Sequence, residues 1–203
     1  MLMLHMLLQD KKVVLASASP RRRELFKMLG LTPLIVPARV DEPLTAETAY
    51  RQAMRHARNK ASAIAAKMDP EAVVVGADTL VVLDGRILGK PDSPQQAADY
   101  LRLLSGQTHK VYTGVCVCWR SQCCCQYERS SVEFAALSDA EIQAYVANKE
   151  PLDKAGAYGI QGYGSQFIRR IQGDYFNVMG FPIHLFYNMI QNLVASDTSV
   201  TSR

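Results

Sequence analysis

The hydrophobic residues of this chain fall into short solid runs and longer stretches with helical spacing, and the two alternate. Val13-Val14-Leu15 opens the first run and predicts a strand over Val13–Ser17. Ser19 then offers an N-cap and Pro20 takes the first helical position. Leu25, Phe26, Met28 and Leu29 line one face of a helix that stops at Gly30. Leu34-Ile35-Val36 predicts a short strand ending near Pro37, and Thr45–Lys67 a long alanine-rich helix with Tyr50, Ala53, Ala57 and Ala61 on one side. Ala72–Gly76 is continuously apolar, as expected of a buried central strand. Leu80–Leu83 continues as a strand into an Asp84-Gly85 hairpin turn.

The second half follows the same grammar. Ser93-Pro94-Gln95-Gln96 reads as a capping box that opens a helix to Leu104, and Ser138-Asp139-Ala140-Glu141 as another that opens a helix to Asn148. Strands are predicted over His109–Trp119, Cys123–Phe134 and Phe167–Ile171, a Gly-rich loop over Gly156–Gly164, and a last helix over Pro182–Leu193. Strands alternating with helices around an antiparallel middle predict an α/β fold, a mixed sheet with helices on both faces.

Composition narrows the class. With 203 residues, 48% hydrophobic and 21% charged, the chain can bury one substantial core, as one domain or a domain with a lobe. The expected division is an N-terminal extension over 1–12, the domain over 13–194 and a disordered tail over 195–203. A net charge of +4 fits an anionic small-molecule substrate and does not by itself indicate nucleic acid. No apolar run reaches membrane-span length, and the N-terminus lacks the charged n-region and cleavage site of a signal peptide. The five cysteines crowd between Cys116 and Cys125, and no histidine or second Cys-x-x-Cys pair gives them zinc spacing. Metal or disulfide is the alternative; the expectation is small apolar residues on two hairpin strands around a turn near Arg120-Ser121-Gln122. Reduced thiols fit a cytoplasmic protein.

Candidate chemistry clusters at strand ends. In Ala16-Ser17-Ala18-Ser19-Pro20-Arg21-Arg22-Arg23 a strand runs into a helix N-terminus crowded with hydroxyls and guanidiniums. The arginines oppose the helix dipole there unless an anion is bound, so the pattern suits a polyphosphate. Asp78 follows a buried strand, where a carboxylate can hold a divalent cation or orient a water, or simply terminate a turn. Lys90, in Gly89-Lys90-Pro91, could reach phosphate. Gln161, in a Gly-rich loop, has an amide able to read a base edge. Arg51, Arg55, Arg58 and Lys60 read as the solvated face of the long helix, and His109 as structural. Nothing in the sequence gives His5, His56 or His184 a role.

Taken together, Ser17-Ala18-Ser19-Pro20-Arg21-Arg22, Gly76-Ala77-Asp78-Thr79, Gly89-Lys90-Pro91, Ser105-Gly106 and the run from Asp153-Lys154-Ala155-Gly156 to Gly162 resemble the Maf family of nucleoside triphosphate pyrophosphatases. The motifs occur in that family's order and spacing from about Val13 to Leu193. The resemblance implies an elongated fold with a deep cleft, similar to the inosine triphosphate pyrophosphatase architecture, and hydrolysis to monophosphate and pyrophosphate with Mg²⁺ or Mn²⁺. It implies that Asp78 is catalytic, that Ser17, Arg21, Arg22, Lys60 and Lys90 bind substrate, and that Glu42 joins Asp78 as a metal ligand. Arg21, Thr79 and Gln161 match the branch that acts on dTTP and UTP. The branch acting on 7-methyl-GTP differs at all three motifs. The expectation is thus a cytoplasmic dTTP/UTP pyrophosphatase, a possible homodimer with no membrane or nucleic-acid partner. The alternatives are the same reaction on CTP or a modified nucleotide, or a non-catalytic division regulator that binds nucleotide or nucleic acid through the Arg51–Lys60 helix. Whether Asp78 takes a proton or holds the metal is left open.

Overall fold

The computed structural model describes residues 2–120 and 122–200, with 197–200 described by their backbone alone. Its elements run α1 (Leu4–Leu7), β1 (Val13–Leu15), α2 (Pro20–Met28), β2 (Leu34–Ile35), α3 (Ala49–Ala65), β3 (Val73–Leu83), β4 (Arg86–Leu88), α4 (Pro94–Leu104), β5 (Thr108–Trp119), β6 (Gln122–Phe134), α5 (Asp139–Ala147), β7 (Ile168–Gln172), α6 (Tyr175–Met179) and α7 (Ile183–Val200). The Gly-rich stretch between α5 and β7 forms three short 3-10 turns. Part of the tail expected to be disordered is the end of α7, and residues 201–203 lie outside the described residues.

Among the described residues, seven strands form one mixed sheet in the order β2-β1-β3-β5-β6-β7, with β4 also on β3. β1 pairs parallel to both β2 and β3, whereas β3–β4 and β6–β7 are antiparallel. The chain divides into two compact units. One holds the segment up to Asp78, Gly114–Tyr127 and everything from Gly180; the other holds Thr79–Thr113 and Glu128–Met179. Strands β3, β5 and β6 contribute residues to both.

In the first unit, α3 lies against the sheet with almost no side chain between them. A Cβ built on Gly76 would come within 2.3 Å of Ala57 O, and one on Gly114 within 2.4 Å of Ala53 O. Ala53, Ala57 and Ala61 are fully buried and form the matching stripe on the helix. Strand alternation puts Val74, Gly76 and Asp78 on the α3 side of β3, and Gly114, Cys116 and Cys118 on the same side of β5. Val14, Ala16, Ile64 and Ala72 complete this core layer. Leu15 and Val75 alternate to the opposite side. A separate cluster forms from Phe26 of α2, Phe181, and Phe186 of α7, whose ring centroids lie 5.0–5.6 Å apart.

Local capping explains most boundaries. The Ser19 side chain accepts from Arg22 N, and Pro20 opens α2. Ser138 and Glu141 form a complete capping box on α5. The box at Ser93 is only half formed: Ser93 accepts from Gln96 N, while Gln96 Oε1 turns to Asp92 N at 2.6 Å. The second unit packs α4, α5 and the 3-10 turns around Leu101, Leu104, Phe134, Ile142 and Phe167. Buried His109 joins this core edge-on to Phe134 and Tyr158 and meets Tyr158 OH through Nε2 at 2.7 Å.

The reading of the cysteines as unpaired apolar residues is corrected. Cys116 is bonded to Cys125 and Cys118 to Cys123, and only Cys124 is free. The members of each pair are equidistant from the hairpin turn, so antiparallel register sets them side by side with Cα atoms 4.1 Å apart. The thiol argument for a reducing compartment goes with that correction. Ser121, in the predicted turn, lies outside the described residues.

Two outcomes follow from this packing. Gly76→Ala forces a methyl into the α3 backbone and should lower unfolding stability by roughly 1–3 kcal/mol or more in a urea titration. An unchanged midpoint would mean that helix and strand do not touch there. Burial holds the His109 imidazole well below its ordinary value, at about 4. The unfolded chain then binds the extra proton first, so stability is full above about pH 6.5 and falls as pH drops towards 4, by up to ~3 kcal/mol. His109→Gln, which does not titrate, should flatten that slope.

Candidate active site

Three candidate residues converge in the first unit. Asp78 on β3 faces α3 and is 9% exposed. Its Oδ1 accepts from Lys60 Nζ at 2.8 Å, and the same ammonium pairs with Glu42 Oε1. Its Oδ2 lies 3.0 Å from His56 Nδ1. His56 and Lys60 stand four residues apart on α3, hence on one face. Burial pushes the Asp78 carboxyl up. The His56 hydrogen bond, the Lys60 charge and hydrogen bond, and the Arg22 charge outweigh it and hold the group below the ordinary carboxylate range.

The sequence placed Asp78 beyond the end of a strand. It lies instead within an unbroken β3. What ends is the neighbouring strand. β1 pairs with Val73–Val75, Ala16 N donates to Val75 O, and the chain then leaves the sheet for α2. Asp78 therefore sits just past the carboxyl end of β1, and the strand-end crevice belongs to that strand.

The turn from β1 to α2 is internally braced. Ser17 Oγ accepts from Ser19 N at 3.2 Å and from Arg22 Nη1 at 3.0 Å. Arg22 Nε donates to Gly180 O at 2.8 Å. Burial lowers the Arg22 pKa, and the charge of Asp78 opposes that shift. Arg22 thus brings positive charge to the site while its Nε and Nη1 hold the turn in shape. Arg21 is half-buried on the same turn.

Glu42, Asp78 and His56 offer ligand atoms all within 4.8 Å of one another. Two carboxylates suit a divalent cation such as Mg²⁺ or Mn²⁺, and the imidazole lies against one of them, so the carboxylate pair fits the expected metal. The pair of carboxylates already shares one cation, the Lys60 ammonium.

The second unit holds the remaining candidates. Thr79, the residue after Asp78, points to the other side of β3, where its Oγ1 is 3.0 Å from Thr113 Oγ1. Thr113 in turn donates to Asn177 O, and buried Asn177 donates to Val111 O and Ser130 Oγ. Lys90 and Gln161 are both exposed. The Gly-rich loop is not slack. Glu150 accepts from Tyr145 OH, Tyr163 N and Gly164 N, Tyr145 OH accepts from Gly159 N, and Gly156 N donates to Gly89 O beside Lys90.

The chain matches the model of the Maf-like protein family over residues 12–193. It belongs to that family. A Bacillus mycoides protein named dTTP/UTP pyrophosphatase is 47% identical over 192 residues, which span 94% of this chain and 98% of that protein. A Bacillus cereus protein of the same name is 49% identical over 85% of each chain. Among solved structures, the Staphylococcus aureus Ham1 protein aligns with a TM-score of 0.47 at 18% identity, covering 78% of this chain and 80% of its own.

Of the residues expected to act in this Maf-like chain, Glu42, Lys60 and Asp78 are joined by direct ion pairs, and Ser17 and Arg22 by a hydrogen bond. Two side chains that hold this local geometry escaped the sequence reading. His56 looked idle because its partner is 22 residues away, and Glu150 because its role is to gather backbone N–H groups. The helical spacing of His56 and Lys60 was the one signal available for the former. The charge pattern alone put Lys60 on the solvated face of α3, while the family resemblance gave it to the substrate; the structure turns it onto Asp78 and Glu42.

Arg22→Lys keeps the charge but loses the fork that spans Ser17 and Gly180. It should lower unfolding stability by about 1–3 kcal/mol in chemical denaturation. A loss of activity with no loss of stability would mean that the guanidinium acts on substrate alone.

Proposed function

We propose that this Maf-like chain is a nucleoside triphosphate pyrophosphatase that hydrolyses dTTP and UTP to the monophosphate and pyrophosphate. The observation that carries the reading is the buried Asp78 carboxylate, joined by Lys60 to Glu42 and lying beside the arginine-rich turn from β1 to α2. Relatives nearly half identical over almost the whole chain carry the name of that activity. Water attacks the α-phosphorus, the bond to the α–β bridging oxygen breaks, and pyrophosphate leaves.

Each group in the first unit has a part that its chemistry suits. Both Asp78 oxygens face donors, His56 and Lys60, so the carboxylate is better placed to hold positive charge than to take a proton. With Glu42 it would hold Mg²⁺ or Mn²⁺, which supplies positive charge against the triphosphate. Arg21 and Arg22 add fixed charge at a helix N-terminus, where an anion is favoured and charge growing on the leaving group is stabilised. Ser17 holds the Arg22 guanidinium in place. For Thr79, Lys90 and Gln161 the support is the sequence pattern: Lys90 towards phosphate, Thr79 and Gln161 towards a pyrimidine whose acceptor–donor–acceptor edge an amide can partly match.

No helix among the described residues is long and apolar enough to cross a membrane. The same reading sets the enzyme with the cytoplasmic nucleotide pool, and the homodimer expected of it rests on the family resemblance alone.

Pyrophosphate release from a panel of nucleoside triphosphates, with Mg²⁺ or Mn²⁺, tests the assignment. Turnover should be selective for dTTP and UTP over CTP and purines and should drop by on the order of 100-fold or more in Asp78→Ala. Release that survives in that variant removes Asp78 from the chemistry, and a preference for CTP replaces the substrate. Gln161→Glu should raise KM for dTTP and UTP by roughly tenfold while leaving a poor purine substrate less affected. Equal losses on all substrates would make Gln161 a support of the loop rather than a reader of the base.

A further inference from the structure

His56 is 2% exposed, on a helix face whose other buried residues are Gln52, Ala53, Ala57, Ala61 and Ile64. An aliphatic residue would fill that place without the need to satisfy two ring nitrogens. Both nitrogens are used. Nδ1 lies 3.0 Å from Asp78 Oδ2, and Nε2 lies 3.4 Å from the carbonyl oxygen of Pro43, the residue after Glu42. An ionised carboxylate can only accept, so Nδ1–H is the donor; the Pro43 carbonyl also only accepts, so Nε2 donates to it only when the ring carries its second proton.

This ring divides the labour of the Asp78 oxygens. Oδ2 is tied to the imidazole, which leaves Oδ1 for Lys60, the same ammonium that meets Glu42. The terminal torsion of an aspartate is soft and roughly two-fold, so without a fixed partner the carboxylate plane would turn. The Glu42 segment has no helix or strand of its own to fix it. It is held instead by side chains of α3: Gln52 Oε1 accepts from Thr45 N at 2.7 Å, Arg55 donates to Pro43 O at 3.2 Å, and His56 meets the same carbonyl. On α3, His56 and Lys60 each lie against both the Glu42 segment and Asp78, His56 on Oδ2 and Lys60 on Oδ1.

We propose that His56 is a positioning residue for the divalent-cation pair Glu42 and Asp78. Through Nδ1–H it fixes the plane of the Asp78 carboxylate, so that Oδ1 is turned to the point that Glu42 also reaches through the Lys60 ammonium. The proposal rests on the reading of those two carboxylates as the metal pair. A partner one shell out from a ligating carboxylate characteristically sets metal affinity through orientation.

The test is Mn²⁺ binding to the full-length protein without nucleotide, by titration calorimetry or by the loss of the free-ion spin-resonance signal. His56→Leu keeps the bulk and removes both polar contacts. It should weaken Mn²⁺ by roughly 10- to 100-fold, with some loss in the urea midpoint because the buried Asp78 Oδ2 is left without its donor. His56→Asn places an amide N–H close to where Nδ1–H lies and should stay within a few-fold of wild type, whereas His56→Gln, with the donor displaced by one carbon, should not. Asp78→Ala separates the two levels. If it binds Mn²⁺ as tightly as wild type, the metal pair is misassigned and the role of His56 falls with it. If it loses Mn²⁺ while His56→Leu and His56→Gln both bind within about twofold of wild type, the metal pair stands and the positioning role is overturned. If Asn is as weak as Leu, the donor to Asp78 is not what matters, and the proposal fails equally. Should His56→Leu not fold, the contrast between Asn and Gln decides alone.

Discussion

The contact on which the site depends is the one between the α3 backbone and two glycines of the sheet. Glycine at 76 and 114 and alanine at 53, 57 and 61 let helix and strands approach until a single added methyl would reach 2.3–2.4 Å from a helix carbonyl. Such proximity is what allows side chains leaving α3 to span the gap to β3. Lys60 and His56 reach Asp78, and Gln52 and Arg55 reach across to the Glu42 segment. Had the stripe been leucine and valine, a larger interaxial distance would leave the Asp78 carboxylate buried and unpaired, which is far more costly than leaving it paired.

Charge balance follows from that approach. A carboxylate this buried stays ionised because it is met on one oxygen by an N–H donor and on the other by an ammonium, with the Arg22 guanidinium adding its field. Arg22 is itself buried and needs its own acceptors, Ser17 Oγ and Gly180 O. The arginine-rich turn is therefore a built feature, in which one guanidinium holds the shape and its charge faces the site. In the second unit a carboxylate does a parallel job. Glu150 accepts two backbone N–H groups of the Gly-rich loop and the hydroxyl that gathers a third, which gives a loop with few side chains a definite form.

Local features of the fold were legible in the sequence because they are decided within a few residues. Ser19 followed by Pro20, and Ser138 with Glu141, satisfy the N–H groups of their own helix ends and mark α2 and α5. Ala72–Gly76 had to be a buried strand, since nothing polar interrupts it. The family motifs singled out Asp78, Lys60 and Glu42, and the alternation of strands and helices fixed the mixed α/β class.

Tertiary structure decided the rest. His56 acquires its partner across 22 residues and Arg22 across 158, distances over which residue type says nothing about contact. Strand register turned four of the five cysteines into two bonded pairs, which no spacing rule for metals would anticipate. The position of Asp78 was misread as a strand end because the strand that ends is β1, and only pairing reveals that. From sequence alone came the elements, the class and the family. Which side chains converge depended on how closely one helix could approach one sheet, a property of packing volumes summed over residues far apart in the chain.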